Sequence, residues 1–252
     1  MINKRFYGKN ILIVGGNSGI GLSAAKLFAQ EGANIIITGR NDKTLKSALN
    51  EIGKDALSIK CDVSSNKQIE EMASIVRSKF KNLDVLFFSA GQCSFSTIGN
   101  VTEEEWHWVM DANLKGLFFT VQAILQMMNN PSSIVLAGSV AGTVSVASAP
   151  VYGASKAGLR SLARSLAASF IDKGIRVNVV SPGPTDTPAY GRSRTQDHNP
   201  LHILNQDLEN IPMKRLAMPE EVAKAVLFLA SSDSSFTNGA EIFVDGGEVN
   251  LA

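Results

Sequence analysis

From residue 10 to residue 60 the chain alternates short, wholly apolar runs with stretches in which apolar residues recur every third or fourth position. Short apolar runs suit strands buried on both faces, and the longer period suits helices that cover them. The alternation therefore predicts βαβ units and a parallel sheet joined by right-handed crossovers. Strands are predicted over 10–14, 34–38 and 56–60, with helices over 19–30 and 42–52 between them. The same pattern continues with a helix over 65–79, a buried strand over 83–88 and a strand over 132–137. Apolar residues at 106, 110, 114, 117, 118, 121, 124, 125 and 128 predict one long helix over 103–128. Pro150 opens a helix running to about residue 172, which Gly174 closes. A strand over 174–180, a helix over 219–230 and a last strand over 240–244 complete the pattern. The class is α/β, with about seven parallel strands and helices on both faces.

The breaks between these elements hold the chemistry. Gly15-Gly16-Asn17-Ser18-Gly19-Ile20-Gly21 joins the first strand to the first helix. Glycines at 15, 19 and 21 permit a tight turn, close approach of backbone to a pyrophosphate, and close packing of helix on strand. The amides and dipole at the helix start favour the phosphate charge. Arg40 follows the second strand where such a fold meets the adenosine ribose, and no carboxylate stands there. An arginine pairs with a 2′-phosphate and an acid with a 2′-hydroxyl, so NADP(H) is favoured and NAD(H) is possible. The alternative for Arg40 is a solvated loop charge. Asp62, before Val63 at the end of the third strand, is placed to accept from an adenine amino group or to cap the next helix. Ser89-Ala90-Gly91 is a small-residue turn that lets backbone approach a ligand. Asn113 inside the long helix is costly if buried without partners, so it faces the surface or is deliberately bonded.

Tyr152-Gly-Ala-Ser155-Lys156 follows Ser139 by thirteen residues. Positions i and i+4 share a helix face, so the Tyr152 hydroxyl and the Lys156 ammonium point into one space. A fixed cation favours a phenolate and draws the Tyr152 pKa toward neutrality, as proton transfer requires. Residues 140–149 form a small-residue loop suited to lining an apolar pocket. Periodicity is lost over 189–218, where a loop of this length serves as a substrate lid, assigned to 188–218. His198 and His202 lie in that loop with Pro200 between them and no accompanying glutamate motif, so no metal site is expected.

Composition narrows the partners. The 252 residues are 44% hydrophobic and 19% charged, with a net charge of +1, which gives no electrostatic case for nucleic acid or an acidic membrane surface. The apolar run 11–14 is too short for a signal peptide or a membrane span, so a cytoplasmic protein is expected. Cys61 and Cys93 lack paired or metal-type spacing and suit a reducing compartment. With no repeat, linker or low-complexity tract, 1–252 reads as one catalytic domain.

In their order along the chain, Gly15-x-x-x-Gly19-Ile20-Gly21, Asp62, Asn113, Ser139, Tyr152-x-x-x-Lys156, Pro182-Gly183 with Thr187, and Val244-Asp245-Gly246-Gly247 resemble the short-chain dehydrogenase/reductase family. The resemblance spans about residues 10–248 and implies a Rossmann-type doubly wound sheet. It implies catalysis by Asn113, Ser139, Tyr152 and Lys156. Tyr152 would be the general acid or base, Lys156 would hold the nicotinamide ribose and depress the Tyr152 pKa, and Ser139 would hydrogen-bond the substrate oxygen. Asn113 would hold a water linking Lys156 to solvent, and Thr187 the nicotinamide carboxamide. The cofactor would lie along Gly15, Asn17, Ser18, Gly19, Ile20, Gly21, Arg40, Asp62, Val63, Ala90, Gly91, Pro182, Gly183 and Thr187, and against Tyr152 and Lys156.

The resemblance further implies reduction of a ketone or 3-oxoacyl carbonyl with NADPH. An NAD-linked alcohol dehydrogenase and a non-catalytic cofactor binder are the alternatives. It also implies a dimer or tetramer built on the 103–128 and 150–172 helices and the C-terminal tail. Val14 stands where the family has threonine, and Phe88-Ser89 where it has two asparagines, which changes scaffold support. Asn17 and Ser18 lack the basic residue that often accompanies NADP. Cys93, within 92–96 beside the substrate region, either packs or touches substrate, and Arg192 and Arg194 are candidates to attract an anionic substrate.

Overall fold

In the computed structural model, residues 4–188, 194–195 and 208–251 are described. Seven parallel strands form one sheet: β1 (Asn10–Val14), β2 (Asn34–Gly39), β3 (Leu57–Lys60), β4 (Leu83–Phe88), β5 (Met128–Ala137), β6 (Ile175–Pro182) and β7 (Glu241–Val244). Their order is β3-β2-β1-β4-β5-β6-β7, so the chain runs outward one way from β1, returns, and runs outward the other way. That reversal makes a crevice at the carboxyl ends of β1 and β4, the general ligand position in doubly wound sheets. Ser94–Phe95 and Arg194–Thr195 pair as a small second sheet not foreseen from the sequence.

Alternation along each strand builds two cores. Ile11 and Ile13 of β1, Ile35 and Ile37 of β2, and Val85 and Phe87 of β4 face α1 (Gly19–Gln30), α2 (Asp42–Ile52) and a late helix, Pro219–Ala230. Leu12, Val14, Ile36, Leu86 and Phe88 point the other way, toward α3 (Asn66–Lys79) and helices from the middle of the chain. Phe88 is 1% exposed, so packing does replace the expected asparagine there, and Val14 is likewise inside.

The predicted 103–128 helix is broken. It comprises α4 (Glu103–Met110), a π-helical turn over Asp111–Lys115, and α5 (Gly116–Ile124), and β5 already begins at Met128. In the π turn the Gly116 N–H donates to the Asp111 carbonyl, five residues back. At this break the chain meets a distant segment: a Cβ at Gly116 would run into the carbonyl oxygen of Val63, so the backbone packs directly on the residues that follow β3. The helix after Pro150, α6 (Pro150–Ser169), stops three residues early, and Gly174 follows in the left-handed conformation at φ 64°. The late helix is α7. The region assigned to a lid, 188–218, lies largely outside the described residues, as do His198, His202 and Arg192. Among the described residues, no helix is long and apolar enough to cross a membrane.

The turn after β1 depends on glycine. Gly15 has φ 84°, and a Cβ there would lie 2.7 Å from the Ala90 nitrogen, while a Cβ at Gly21 would strike the Gly15 carbonyl oxygen. Gly21→Ala is expected to lower unfolding free energy by about 2–3 kcal/mol in a denaturant titration. Gly99→Ala, where no atom lies within 4 Å of the added Cβ, serves as the control and is expected to change little.

Candidate active site

The crevice at the strand ends opens into a cleft of about 670 Å³. Of the residues predicted to hold a cofactor, Gly15, Asn17, Ser18, Gly19, Ile20, Arg40, Asp62, Val63, Ala90, Gly91, Tyr152, Lys156, Pro182 and Thr187 line it. Two stand behind it. Gly21 lets α1 sit on the turn, and Gly183 packs so closely on Asp245 that a Cβ would lie 2.9 Å from its Cα. The cleft also takes in Thr38 and Asn41, which flank Arg40, Gln92 and Cys93 from the 92–96 segment, and Thr44, which carried no signal in the sequence.

These residues suit a dinucleotide. The first turn of α1 has no acidic side chain to oppose a phosphate, and Thr187 rests on Gly19, 3.1 Å from where a Cβ would be. The Thr38 Oγ1 is buried without a partner at the cleft wall. Asn17 donates through Nδ2 to Thr44 Oγ1 at 2.8 Å, and its amide lies over Gly39, leaving no room for a Cβ there. Asp62 is not the cap of α3. That role belongs to Ser65, whose Oγ accepts from the Gln68 N–H, while Asp62 Oδ1 accepts from the Ser64 N–H and hydroxyl.

At the other end of the cleft, Tyr152 and Lys156 share one face of α6 as predicted, with Lys156 Nζ 5.6 Å from the ring centre. Lys156 is 5% exposed and donates to the Ala137 carbonyl at 2.7 Å. Burial lowers its pKa from the usual lysine value to about 8, against a smaller opposing pull from Cys93. The predicted depression of the Tyr152 pKa is absent. Burial pushes the phenol upward, Cys93 adds to this, and only Ser139 works the other way. The reason is geometric: the Lys156 ammonium is committed to a backbone carbonyl and does not contact the phenol oxygen, so desolvation dominates. Tyr152 is part-exposed by surface area but set deep within the cleft wall, and its depth governs the shift.

The turn carrying Ser139 is fixed against α6. A Cβ at Gly153 would come 2.9 Å from the Ala141 carbonyl, and one at Gly142 would come 3.0 Å from the Lys156 backbone. Ser139 Oγ accepts from the Ala141 N–H at 3.2 Å, and Arg160 Nη1 donates to the Gly142 carbonyl at 2.8 Å.

Asn113 is fully buried and bonded, which decides between the two alternatives for it. Its Oδ1 accepts from the Gln92 N–H at 2.7 Å, and its Nδ2 donates to the Gln92 carbonyl and the Ser155 hydroxyl, each at 2.9 Å. Both amide protons are thus spent, and only acceptor capacity on Oδ1 remains for a water. Ser155 in turn donates to the Tyr152 carbonyl at 2.7 Å.

A family model described as enoyl-(acyl carrier protein) reductase matches residues 14–248. A solved structure titled short chain dehydrogenase/reductase family protein is 35% identical, covers 97% of this chain and 99% of its own, and superposes with a TM-score of 0.86. The chain belongs to the short-chain dehydrogenase/reductase family. It is an NAD(P)-dependent oxidoreductase of that family. Another short-chain relative, the 3-oxoacyl-[acyl-carrier-protein] reductase FabG of Thermotoga maritima, is 36% identical over 97% of this chain and 99% of its own. The crystal structure of a single-substitution variant of actinorhodin polyketide ketoreductase with NADPH is 27% identical over 96% of this chain and 98% of that one, with a TM-score of 0.89.

Asn113→Ala would strand the Gln92 N–H and carbonyl and remove the donor to the Ser155 hydroxyl oxygen. The expected loss is about 2–4 kcal/mol of stability, read from chemical denaturation. An unchanged midpoint would contradict the bracing role.

Proposed function

We propose that this chain reduces a ketone or 3-oxoacyl-type carbonyl to a secondary alcohol with NADPH. One observation carries the reading: Tyr152 and Lys156 line the same cleft as Arg40 and the glycine-rich turn after β1. The FabG relative and the NADPH-bound ketoreductase support both the substrate class and the cofactor.

In this reading Asn113, Ser139, Tyr152 and Lys156 form the catalytic group. A bound nicotinamide dinucleotide supplies the hydride to the carbonyl carbon. Tyr152, which burial keeps protonated at neutral pH, donates its phenolic proton to the carbonyl oxygen. Ser139 donates a hydrogen bond to the same oxygen as charge gathers there. Lys156 holds the ribose hydroxyls and brings a positive charge beside the phenol, and Asn113 braces the wall on which both depend. Arg40 would hold the 2′-phosphate, Gly15, Asn17, Ser18, Gly19, Ile20 and Gly21 the pyrophosphate, Asp62 and Val63 the adenine, Ala90 and Gly91 the ribose, and Pro182, Gly183 and Thr187 the carboxamide. The protein acts as a single domain, cytoplasmic and assembled as a dimer or tetramer. The absence of a basic residue at Asn17 and Ser18 favours the second reading, an NAD-linked alcohol dehydrogenase.

Tyr152→Phe is expected to lower kcat by about a thousandfold or more while NADPH affinity stays within about threefold, and Lys156→Ala to damage both. Steady-state assays on a ketone and thioester panel, with cofactor fluorescence titration, measure this, and normal turnover by Tyr152→Phe would overturn the assignment. Lys156 carries its charge below pH about 8 and loses it above. The kcat/KM for NADPH, which reports the free enzyme, should accordingly hold level to that pH and then fall about tenfold per unit. A profile level to pH ~10 would remove Lys156 from the chemistry.

A further inference from the structure

Arg40 follows β2 and Gln92 follows the turn after β4, and in the sheet these strands flank β1. At normal strand spacing their ends stand about 10 Å apart, one on each side of the glycine-rich turn into which β1 runs. The two side chains nevertheless meet. With the Gln92 amide oxygen turned inward, it accepts from Arg40 Nη1 at 2.6 Å and from Nη2 at 2.5 Å. This orientation is the one a guanidinium demands, since it offers only donors. Asp62 and Val63 follow β3, outside β2, and Lys156 bonds the Ala137 carbonyl at the end of β5, outside β4, so in the strand order the bridge lies between them. A dinucleotide reaching from Asp62 and Val63 to Lys156 must cross the line the bridge occupies.

Both ends of the bridge are anchored. The Gln92 backbone is pinned by Asn113 through two hydrogen bonds, and Asn113 is tied to Ser155 on α6. Arg40 lies between the end of β2 and Asn41, which caps α2 by accepting from the Lys43 and Thr44 N–H groups. Only the two side chains are left to swing.

We infer that Gln92 is a latch residue, which holds Arg40 across the cleft and so sets the affinity for any nicotinamide dinucleotide by the cost of opening that bridge. The inference rests on the proposed function for the part that Arg40 then takes with a 2′-phosphate. A binding-competent state that is only a fraction of the population weakens apparent affinity by that fraction, for every ligand that needs it. The latch therefore weakens NADH and NADPH equally, and Arg40 alone separates them by pairing with the phosphate once released.

The test is fluorescence titration of the full chain with NADH and with NADPH, which needs no substrate. Gln92→Ala leaves the backbone bonds to Asn113 in place. It is expected to lower the Kd of both dinucleotides by the same factor, about three- to tenfold. Arg40→Ala should lower the NADH Kd by that factor too, and the double variant should add nothing, because each change breaks the same bridge. Gln92→Glu, which turns the bridge into an ion pair, should raise both values. An NADH Kd unmoved by Gln92→Ala and Arg40→Ala would overturn the latch. A weakening of NADPH alone in Gln92→Ala would also overturn it, by making Gln92 a prop for the phosphate site. The NADPH response of Arg40→Ala tests the phosphate reading separately. A rise in Kd sustains it, and a fall parallel to NADH removes it while leaving the latch standing.

Discussion

A lysine held at 5% exposure is the constraint around which this site is built. The fall of the Lys156 pKa from 10.5 to about 8 corresponds to a penalty of about 3 kcal/mol on its charged form at neutral pH. The sign is that of a lysine with a depressed folded-state pKa. The penalty is present while both folded and unfolded chains are protonated, and it is relieved as pH rises through the window from about 8 to 10.5. The fold keeps the charge there with one short bond to the Ala137 carbonyl at the end of β5. Gly91 packs on the amide that braces the wall, since a Cβ there would come 3.2 Å from Asn113 Oδ1. A charge so placed gains from any ligand that offers oxygen atoms on the cleft side, which is where binding can recover what burial costs.

Around this charge, backbone contacts replace flexible side chains. Gly142 and Gly153 bring the turn after Ser139 against α6, and Arg160 clamps that turn from behind. Arg160 Nε also donates to Glu241 at 2.6 Å, and the Ser181 hydroxyl donates to the other oxygen of the same carboxylate at 2.6 Å. The network ties α6, the Ser139 turn, β6 and β7 into one unit. Partly buried and fully bonded, it resists the small displacements that would separate Ser139 from Tyr152.

The strands and most helices were legible because their signals are local. Ile11 to Val14 and Leu83 to Phe88 are apolar at every or nearly every position, as strands covered on both faces must be. The glycine turn and the Tyr152 and Lys156 pair were legible because spacing alone dictates their geometry. The π turn was not, and it falls where Gly116 packs on the Val63 carbonyl, a contact between distant parts of the chain. Asn113 lies within that turn, and its direction is settled by partners on other elements, Gln92 and Ser155, which periodicity does not reveal. The Gln92 and Arg40 bridge was hidden for the same reason: each residue alone is an ordinary polar side chain after a strand. The Tyr152 pKa was misjudged by reasoning from proximity, since sharing a helix face does not put the ammonium on the phenol oxygen.

The raised Tyr152 pKa bears on how its proton can be moved. A phenol already poised near neutrality would serve oxidation and reduction alike. Burial instead leaves Tyr152 holding its proton, so the resting site is loaded as an acid. Releasing that proton requires a positive charge nearer than the Ala137 carbonyl allows Lys156 to come, or an added ligand group to link the two. The ribose hydroxyls assigned to Lys156 are such groups, so cofactor binding would also be the event that lowers the phenol pKa. The phenol's base strength thus waits on groups that link it to Lys156, and the same residue that gives up the proton in reduction takes it back in oxidation.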